Sequence, residues 1–274
     1  MVDYRIVASD LDGTLLNSSD LVSEENWAAI AEMKARGVHF VPCTGRTLNE
    51  MDPLIRDNSN VRYIIHSDGA VVYDKETDRR ITACMGGEEA KFVFDTLFTY
   101  DVHATVRHER YTYIDERKSN PSGYAYYHVD ASYRDRICER FAIKQEDFEA
   151  FCKGLDQVEM ICVFFRNEGD AETCIKRIRE TGNYITARFT PYCYEIFHKT
   201  AGKGNALLRL ADALGLSHAQ TIGVGDSEND LTMLEAAGLG LCMSNGMDEA
   251  KRAADEIICN NDEHAMKYIL EHYL

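Results

Sequence analysis

Residues 6–16 read IVASDLDGTLL, and this stretch determines what the rest of the chain is expected to build. It opens as a short apolar run, which is the pattern of a buried parallel strand. Two carboxylates, Asp10 and Asp12, follow where the strand must end, and Gly13 and Thr14 then turn the chain. Carboxylates are seldom fully buried unless they are paired or bound to metal. In open α/β sheets, the region beyond the carboxyl ends of the strands is where ligands bind.

This pair of carboxylates suits a specific chemistry. Side chains two residues apart on an extended strand point the same way, so Asp10 and Asp12 can converge on one reacting group. An aspartate carboxylate is a covalent nucleophile toward phosphoryl groups, and Mg²⁺ would relieve the repulsion between the two acids. An ordinary turn built on Asp12 and Gly13 is the simpler alternative, but the stretch as a whole favours a functional site.

Composition limits the class of protein. A length of 274 residues and a hydrophobic content of 45% favour two domains with full cores. The net charge of −16 disfavours nucleic acid or an anionic membrane as a partner. We find no apolar run of membrane-spanning length and no signal-peptide pattern, so we expect a cytoplasmic protein. The nine cysteines are scattered without a C-x-x-C pair; a zinc site is unsupported, and Cys43, Cys162 and Cys242 are expected to be buried thiols.

The order of predicted elements indicates the architecture. Within residues 1–83, three short apolar strands up to residue 66 alternate with helices, which predicts parallel pairing with right-handed crossovers. Residues 71–73 and 80–82 flank a charged turn and are predicted to form a hairpin. The pattern changes to α+β in residues 84–190, and strands again alternate with helices in residues 191–274. We therefore predict an α/β protein whose Rossmann-like, doubly wound parallel sheet is formed by 1–83 and 191–274. A second, α+β domain is inserted at 84–190.

A second acidic motif follows the buried strand at residues 221–224. Asp226 stands at the end of this strand as Asp10 does on its own, so parallel neighbours would bring both to one edge and around one cation. Asp230 lies one helical turn beyond Asp226 and could reach the metal through water or hold Lys203. Helix capping alone would explain one of these acids, but not the whole set.

Polar residues at other predicted strand and helix ends complete the candidate site. Thr44 and Gly45 end the second strand, where a hydroxyl and backbone N–H groups would hold phosphate oxygens; an ordinary turn with a helix cap is an equal alternative. Arg46 could bind substrate phosphate, pair with a nearby acid, or be solvated. Lys203 opens a helix between two glycines, where a cation needs an anion nearby, whereas Lys199 is expected to be solvated. The polar candidates near the metal loop and the next strand end are Asn229 and Asn245, either of which could be a turn residue.

Together these motifs resemble the haloacid dehalogenase-like hydrolase superfamily over the whole chain, and more closely its Cof-type phosphatases with a large α+β cap. The matching residues, in order, are Asp10-Leu11-Asp12-Gly13-Thr14, Thr44-Gly45-Arg46, Lys203 and Gly225-Asp226-Ser227-Glu228-Asn229-Asp230. The resemblance implies that Asp10 is the nucleophile and Asp12 the general acid and base. It implies that Thr44 holds the phosphoryl group, with Gly45 and Arg46 beside the substrate, and that Lys203 neutralises it. It implies Mg²⁺ bound by the Asp10 carboxylate, the Asp12 carbonyl and the Asp226 carboxylate, supported by Asp230 and Asn229.

The chain also departs from the pattern of the family it resembles. Asp68-Gly69-Ala70 stands where members of that family often have Asn-Gly-Ala, which puts an extra acid near the predicted phosphate pocket, where it could alter substrate preference or pair with Arg46. In the predicted cap, Arg107, His108 and Arg110 could contact an anionic leaving group, but a solvated hairpin turn explains them equally well. The tyrosines of residues 124–133 are expected to pack within the cap.

We therefore expect a Mg²⁺-dependent phosphomonoesterase acting through an aspartyl-phosphate on small phosphorylated metabolites, sugar phosphates foremost. The cap would select the substrate, and we expect a monomer or weak homodimer with neither nucleic acid nor membrane as a partner. A phosphoryl transferase or mutase is one alternative, and a non-catalytic metabolite-binding regulator is another. A dinucleotide enzyme is poorly supported, because Gly223-Val224-Gly225 lacks the third glycine at the expected spacing.

Overall fold

The computed structural model describes residues 3–274, which divide into two compact units. The core unit contains the described residues up to Arg46, then Met51–Thr82 and Ala201–Leu274. The inserted unit contains Thr47–Glu50 and Ala83–Thr200. The sequence prediction ends the insertion at residue 190, but the next strand pairs with strands of the inserted unit, so the structure places the end after Thr200.

The chain forms short strands and helices throughout. The strands are β1 (Ile6–Ser9), β2 (His39–Pro42), β3 (Tyr63–His66), β4 (Val71–Asp74), β5 (Arg79–Thr82), β6 (Met85–Gly86), β7 (Val102–His108), β8 (Tyr111–Asp115), β9 (Ile143–Gln145), β10 (Gln157–Val158), β11 (Met160–Phe165), β12 (Tyr184–Thr190), β13 (Cys193–His198), β14 (Thr221–Gly225), β15 (Leu239–Met243) and β16 (Glu256–Ile258). The helices are α1 (Glu24–Ala35), α2 (Pro53–Arg56), α3 (Gly87–Leu97), α4 (Pro121–Tyr126), α5 (Ala131–Tyr133), α6 (Phe148–Lys153), α7 (Glu168–Arg179), α8 (Lys203–Ala213), α9 (Leu231–Ala236), α10 (Asp248–Ala253) and α11 (Ala265–His272). Within residues 3–274, no helix is both long enough and apolar enough to cross a lipid bilayer.

The core unit is built on a five-stranded parallel sheet in the order β16-β15-β14-β1-β2. Every residue of β1 is buried, as the apolar run predicts. The core on one side of the sheet joins Ile6 and Ala8 to Leu207 and Leu210 of α8 and to Met233 of α9. Because all five strands run in the same direction, their carboxyl ends meet at one edge, and this edge carries the candidate site. The predicted α/β architecture with a parallel sheet is therefore confirmed.

The third strand has a neighbour on each side, and its parallel contact with the end of β2 is the one that the strand–helix–strand order predicts. β3 pairs antiparallel with β4, which pairs antiparallel with β5, and this three-stranded sheet meets the end of β2 through one parallel bridge between Cys43 and Ile65. Only Ser67–Gly69 and Ala70 connect β3 to β4. A link this short allows an antiparallel hairpin but not a crossover to a parallel strand.

The inserted unit contains a six-stranded, mostly antiparallel sheet in the order β12-β13-β11-β7-β8-β9. Helices α3, α6 and α7 cover one face, where alternate residues of β7 and β11 such as Val106 and Val163 are buried. On the other face, Tyr124 and Tyr127 pack with Phe164 and Cys193. These two tyrosines are therefore core residues of the inserted unit. The apolar pattern of residues 144–153 predicts one helix there, but in the structure β9 takes Ile143–Gln145 and α6 begins at Phe148.

None of the nine cysteines, which all lie within the described residues, forms a disulfide bond, and Cys43, Cys162 and Cys242 are buried, as predicted. In the inserted unit, Cys162 Sγ and Cys193 Sγ lie 3.7 Å apart. Buried thiols of this kind behave as small apolar groups.

A close backbone approach fixes the start of α8 in the core unit. A Cβ atom on Gly204 would overlap the carbonyl oxygen of Thr232, which is backbone and cannot rotate away. We therefore expect Gly204→Ala to lower the free energy of unfolding by about 3 kcal/mol, at the upper end of overpacking effects. Urea denaturation checks this, with Gly215→Ala as the control because Gly215 has φ +68° and open space around it. A loss for Gly204→Ala no larger than the control's would contradict the steric argument.

Candidate active site

Asp10 is the residue that directly follows β1. Its N–H donates to Val224 O at 2.9 Å, which continues the pairing of β1 with β14 by one residue and fixes the backbone beside the end of β14. The Asp10 side chain is 7% exposed. The chain then turns at Gly13, whose φ of +78° is the left-handed conformation that glycine adopts without strain.

Asp226 follows β14 directly, so the parallel pairing brings it to the Asp10 turn. Thr14 Oγ1 donates to Asp226 Oδ1 at 2.8 Å, and a Cβ on Gly13 would lie 2.6 Å from Asp226 Oδ2. Gly13 therefore allows the carboxylate to lie directly against the turn. Asn245 Nδ2 donates to Gly13 O at 2.8 Å and stabilises the turn from the end of β15.

Lys203 lies at the N-terminus of α8 and is fully buried. Its Nζ lies 2.6 Å from Asp10 Oδ1 and 2.6 Å from Asp230 Oδ1. Burial alone would lower the pKa of Lys203, but the two carboxylates outweigh it and raise the pKa well above its ordinary value. Lys203 is therefore a permanent cation beside the carboxylate at the end of β1.

Asp230 connects this lysine to the loop after β14. Its Oδ2 accepts from the N–H groups of Asp226 and Ser227 at 3.0 Å each, while Oδ1 is held by Lys203. Both carboxylate oxygens are thus engaged by donors of the chain. Of the two predicted roles of Asp230, the structure displays the one that holds Lys203 in place.

Thr44, Gly45 and Arg46 form the loop after β2. Thr44 is buried, and its Oγ1 accepts from Arg46 N at 3.2 Å. The Arg46 guanidinium binds Asp12 through both oxygens, with Nε 3.0 Å from Oδ2 and Nη2 2.5 Å from Oδ1. Of the alternatives open for Arg46, the structure has the pairing with a nearby acid. The two carboxylates of the opening motif are therefore held by different cations, Asp10 by Lys203 and Asp12 by Arg46.

The expectation that Asp10 and Asp12 share the geometry of one extended strand is wrong. β1 ends at Ser9, and Asp12 lies in the turn Leu11–Leu15. Side-chain alternation along a strand therefore does not relate the two residues. The Asp12 side chain is 44% exposed, in contrast to buried Asp10.

Asp68 enters the site from the turn between β3 and β4. Asn229 Nδ2 donates to Asp68 Oδ1 at 2.9 Å. The sequence predicts that Asp68 alters substrate preference or pairs with Arg46. It does not predict the contact with Asn229, because that contact joins residues 161 positions apart. No local pattern in the sequence signals it.

The donor set fits a hard divalent cation. Asp10, Asp226 and Asp230 each offer a carboxylate oxygen, and these oxygens all lie within 4.8 Å of one another. Burial raises the pKa of Asp10 well above its ordinary value, since Lys203 offsets it only in part and the neighbouring acids raise it further. Burial also raises the pKa of Asp226 despite the hydrogen bond from Thr14. Three carboxyl groups thus lie near a single lysine, so a further cation would be stabilised among them. Carboxylate oxygens are the ligands that Mg²⁺ prefers.

The remaining sequence candidates lie in the inserted unit. Lys199 is exposed, with Nζ 2.9 Å from Asn183 Oδ1. Arg107 and His108 end β7; Arg107 is buried with its guanidinium 3.9 Å from the Glu50 carboxylate, and His108 Nδ1 lies 2.9 Å from Gln157 O. A solvated hairpin turn therefore does not describe Arg107.

Comparisons with known proteins show the family to which the chain belongs. The family model described as haloacid dehalogenase-like hydrolase matches residues 7–270, and the chain belongs to that family. It is 30% identical over 286 residues to the phosphatase YwpJ of Bacillus subtilis, covering 98% of this chain and all of YwpJ. It is 26% identical to the 5-amino-6-(5-phospho-D-ribitylamino)uracil phosphatase YwtE of the same organism, covering 98% of each chain. A solved haloacid dehalogenase-like hydrolase from B. subtilis superposes with a TM-score of 0.78 at 27% identity, over 98% of this chain and all of that one.

Proposed function

We propose that the protein is a Mg²⁺-dependent phosphomonoester hydrolase that acts on small phosphorylated metabolites, sugar phosphates foremost, through an aspartyl-phosphate. The observation that carries this proposal is the buried ion-pair network of Lys203 with Asp10 and Asp230, 2.6 Å from each, beside the third carboxylate of Asp226. A carboxylate held by a fixed cation at the end of a parallel strand is a suitable nucleophile for an anionic phosphoryl group. The family and the names of the relatives support the same class of reaction.

In the first step, an Asp10 carboxylate oxygen attacks phosphorus and the bond from phosphorus to the leaving oxygen breaks. Asp12 gives its proton to that oxygen, so the leaving group departs as a neutral alcohol. Thr44 and Lys203 hold the transferring oxygens, which gain charge as the reaction proceeds. For Asp12 to carry a proton, Arg46 must release at least one of the two oxygens it binds.

In the second step, water attacks phosphorus of the aspartyl-phosphate, and the Asp12 carboxylate takes the proton of that water. The bond between phosphorus and the Asp10 oxygen breaks, which releases phosphate and restores the carboxylate. Asp10, Asp226 and the Asp12 carbonyl would hold Mg²⁺, with Asp230 in support. When bound, the ion neutralises charge on the carboxylates and on the phosphoryl oxygens. Gly45, Arg46 and Asn229 would position the substrate phosphate.

The proposal is tested by hydrolysis of p-nitrophenyl phosphate and of a set of sugar phosphates, with Mg²⁺ and with EDTA. We expect free phosphate to be released only with Mg²⁺. A new phosphoester in place of free phosphate would indicate a transferase or mutase. Binding of phosphorylated metabolites without any turnover would indicate a regulator. We also predict a cytoplasmic location, which agrees with nine cysteines that form no disulfide bond.

Replacing Asp226 separates the contribution of the cation from that of the fold. We expect Asp226→Asn to lower kcat/KM by about 100-fold or more, because the metal loses a carboxylate ligand. The pKa of Asp226 is higher in the folded protein than in the unfolded chain, because burial disfavours the charged carboxylate. The carboxyl group therefore stabilises the fold at low pH, and this contribution is lost as the pH rises through the pKa that Asp226 has in the folded protein. At pH 7.5 without metal, Asp226→Asn should therefore unfold no earlier than wild type.

Thermal unfolding with and without Mg²⁺ completes this test. Wild type should gain stability with Mg²⁺, and Asp226→Asn should lose most of that gain. Asp212→Asn is the matched control, because Asp212 is exposed on α8 and its carboxylate also has one side-chain partner, His218, at 2.9 Å. An Asp226→Asn protein that keeps both full activity and the full Mg²⁺ gain would contradict the assignment.

A further inference from the structure

The turn between β3 and β4 holds three consecutive residues in the left-handed conformation. The φ angles are +50° for Ser67, +50° for Asp68 and +80° for Gly69. Serine and aspartate adopt this conformation at an energetic cost, and such residues persist only where their surroundings fix them. Residues of this kind concentrate at functional sites, so the turn warrants a functional explanation.

Backbone hydrogen bonds fix this turn from two sides. Ser67 N donates to Arg46 O at 3.0 Å, and Asp68 N donates to Thr44 O at 3.2 Å, which ties the turn to the loop after β2. Gly202 N donates to Asp68 O at 2.9 Å, which ties it to the residue before Lys203. A Cβ on Gly69 would overlap the Gly202 carbonyl, so the backbone of the turn packs directly against the backbone of Gly202. The turn thus joins the proposed phosphate loop to the start of α8.

The Asp68 side chain adds a third connection. The residue is 6% exposed, and its carboxylate lies against Gly45, where a Cβ would be 2.9 Å from Oδ2. Its Oδ1 accepts from Asn229 Nδ2 at 2.9 Å. The other end of the same amide is also engaged, because Ser227 Oγ donates to Asn229 Oδ1 at 2.8 Å. The amide therefore spans the space between the turn and the loop after β14.

These contacts continue to the nucleophile. Ser227 N donates to Asp230 Oδ2 at 3.0 Å, and Lys203 Nζ bridges Asp230 Oδ1 and Asp10 Oδ1. A series of hydrogen bonds thus runs from Asp68 through Asn229, Ser227, Asp230 and Lys203 to Asp10. An ionised carboxylate can only accept hydrogen bonds, so Asp68 sets the direction of the first bond in this series.

We propose that Asp68 is a positioning residue that acts through Asn229, and this rests on the proposed function. Asp68 fixes the amide so that its NH₂ group faces the loop of Thr44 and Gly45 and its oxygen faces Ser227. One NH₂ hydrogen binds Asp68 and the other is directed to a phosphoryl oxygen of the substrate. An asparagine at position 68 presents either a donor or an acceptor, so it fixes the amide less firmly.

A double-mutant cycle tests this assignment, with Asp68→Ala, Asn229→Ala and the double variant. The readouts are KM and kcat for p-nitrophenyl phosphate, and the Kd of inorganic phosphate measured by calorimetry. We expect each single variant to raise KM and the phosphate Kd about tenfold with kcat changed less than threefold, because the amide contributes to binding. The double variant should also show about a tenfold rise, since both changes remove the same interaction.

Asp68→Asn supplies the conservative comparison, because asparagine tolerates the left-handed conformation and keeps the side-chain shape. Its phosphate Kd should lie between those of wild type and Asp68→Ala. Asp212→Asn should match wild type. The proposal is overturned by a hundredfold rise in the double variant, by an unchanged Asp68→Ala, or by tighter phosphate binding in Asp68→Asn, which would make Asp68 a repelling charge. Absence of turnover in wild type would refute the proposed function instead, and the phosphate Kd values would still test Asp68.

Discussion

Asp10→Asn should reduce phosphatase kcat by about 10⁴-fold or more while the protein stays folded. The amide cannot form an aspartyl-phosphate, so the two-step reaction has no first step. The fold should tolerate the change, because burial already raises the pKa of Asp10 and an amide oxygen can still accept from Lys203 Nζ. The measurement is hydrolysis of p-nitrophenyl phosphate with Mg²⁺, together with thermal unfolding of the same preparation.

Two comparisons make this result specific. Asp212→Asn removes one acidic charge from an exposed position of the core unit and should retain wild-type turnover. Acid quenching of wild type during turnover with a ³²P-labelled substrate should trap label on the protein, and Asp10→Asn should trap none. Hydrolysis by Asp10→Asn at the wild-type rate would remove Asp10 as the nucleophile.

Lys203→Met should have the largest effect on stability. The side chain is fully buried between Asp10 and Asp230, so its loss leaves two buried carboxylates without their shared cation. Breaking a buried ion pair on one side costs about 3–5 kcal/mol of stability. We also expect activity to fall by at least about 100-fold, since the transferring phosphoryl group loses a fixed positive charge. Urea denaturation measures the first effect and steady-state kinetics the second.

A charge-balanced variant separates these two effects. Lys203→Met combined with Asp230→Asn removes one cation and one anion, so it should recover part of the lost stability but none of the activity. Added Mg²⁺ should also stabilise Lys203→Met, because another cation then shares the acidic cluster. Equal stability of Lys203→Met and wild type would show that this ion-pair network does not hold the core unit together.

The sequence predicts the parts of this molecule that depend on chain-local patterns. The apolar runs of β1 and β14, each followed by an acid, predict two parallel strands ending at one edge, and the structure pairs them directly. The glycine-flanked Lys203 predicts a cation in need of an anion, and two carboxylates lie 2.6 Å from it. Patterns local in the sequence are sufficient for these predictions, because the carboxyl ends of parallel strands all lie at the same edge of the sheet.

Other features depend on partners that no local pattern identifies. The sequence leaves Arg46 free to bind substrate phosphate, to pair with a nearby acid or to be solvated. In the structure it pairs with Asp12, because the turn after β1 places that carboxylate beside it. Asp68 meets Asn229 because the hairpin of β3 and β4 returns beside the loop after β14. The alternation of strands and helices predicts the parallel contact of β3 with the end of β2, but it does not predict that β3 also pairs antiparallel with β4. A connection as short as the one between β3 and β4 allows only an antiparallel pair. The length of the connection sets this direction, and the pattern of apolar residues carries no information about it.

The pairing of β1 with β14 also has a consequence during synthesis on the ribosome. Thr14 and its partner Asp226 are 212 positions apart. At elongation rates of 5–20 residues per second, the strand that completes the centre of the sheet emerges roughly 10–40 s after the first one. During that interval the nascent chain carries an apolar strand with an open edge, while the whole inserted unit is made and can fold. Chaperone binding to the translating ribosome should therefore persist until the final quarter of the protein has been made.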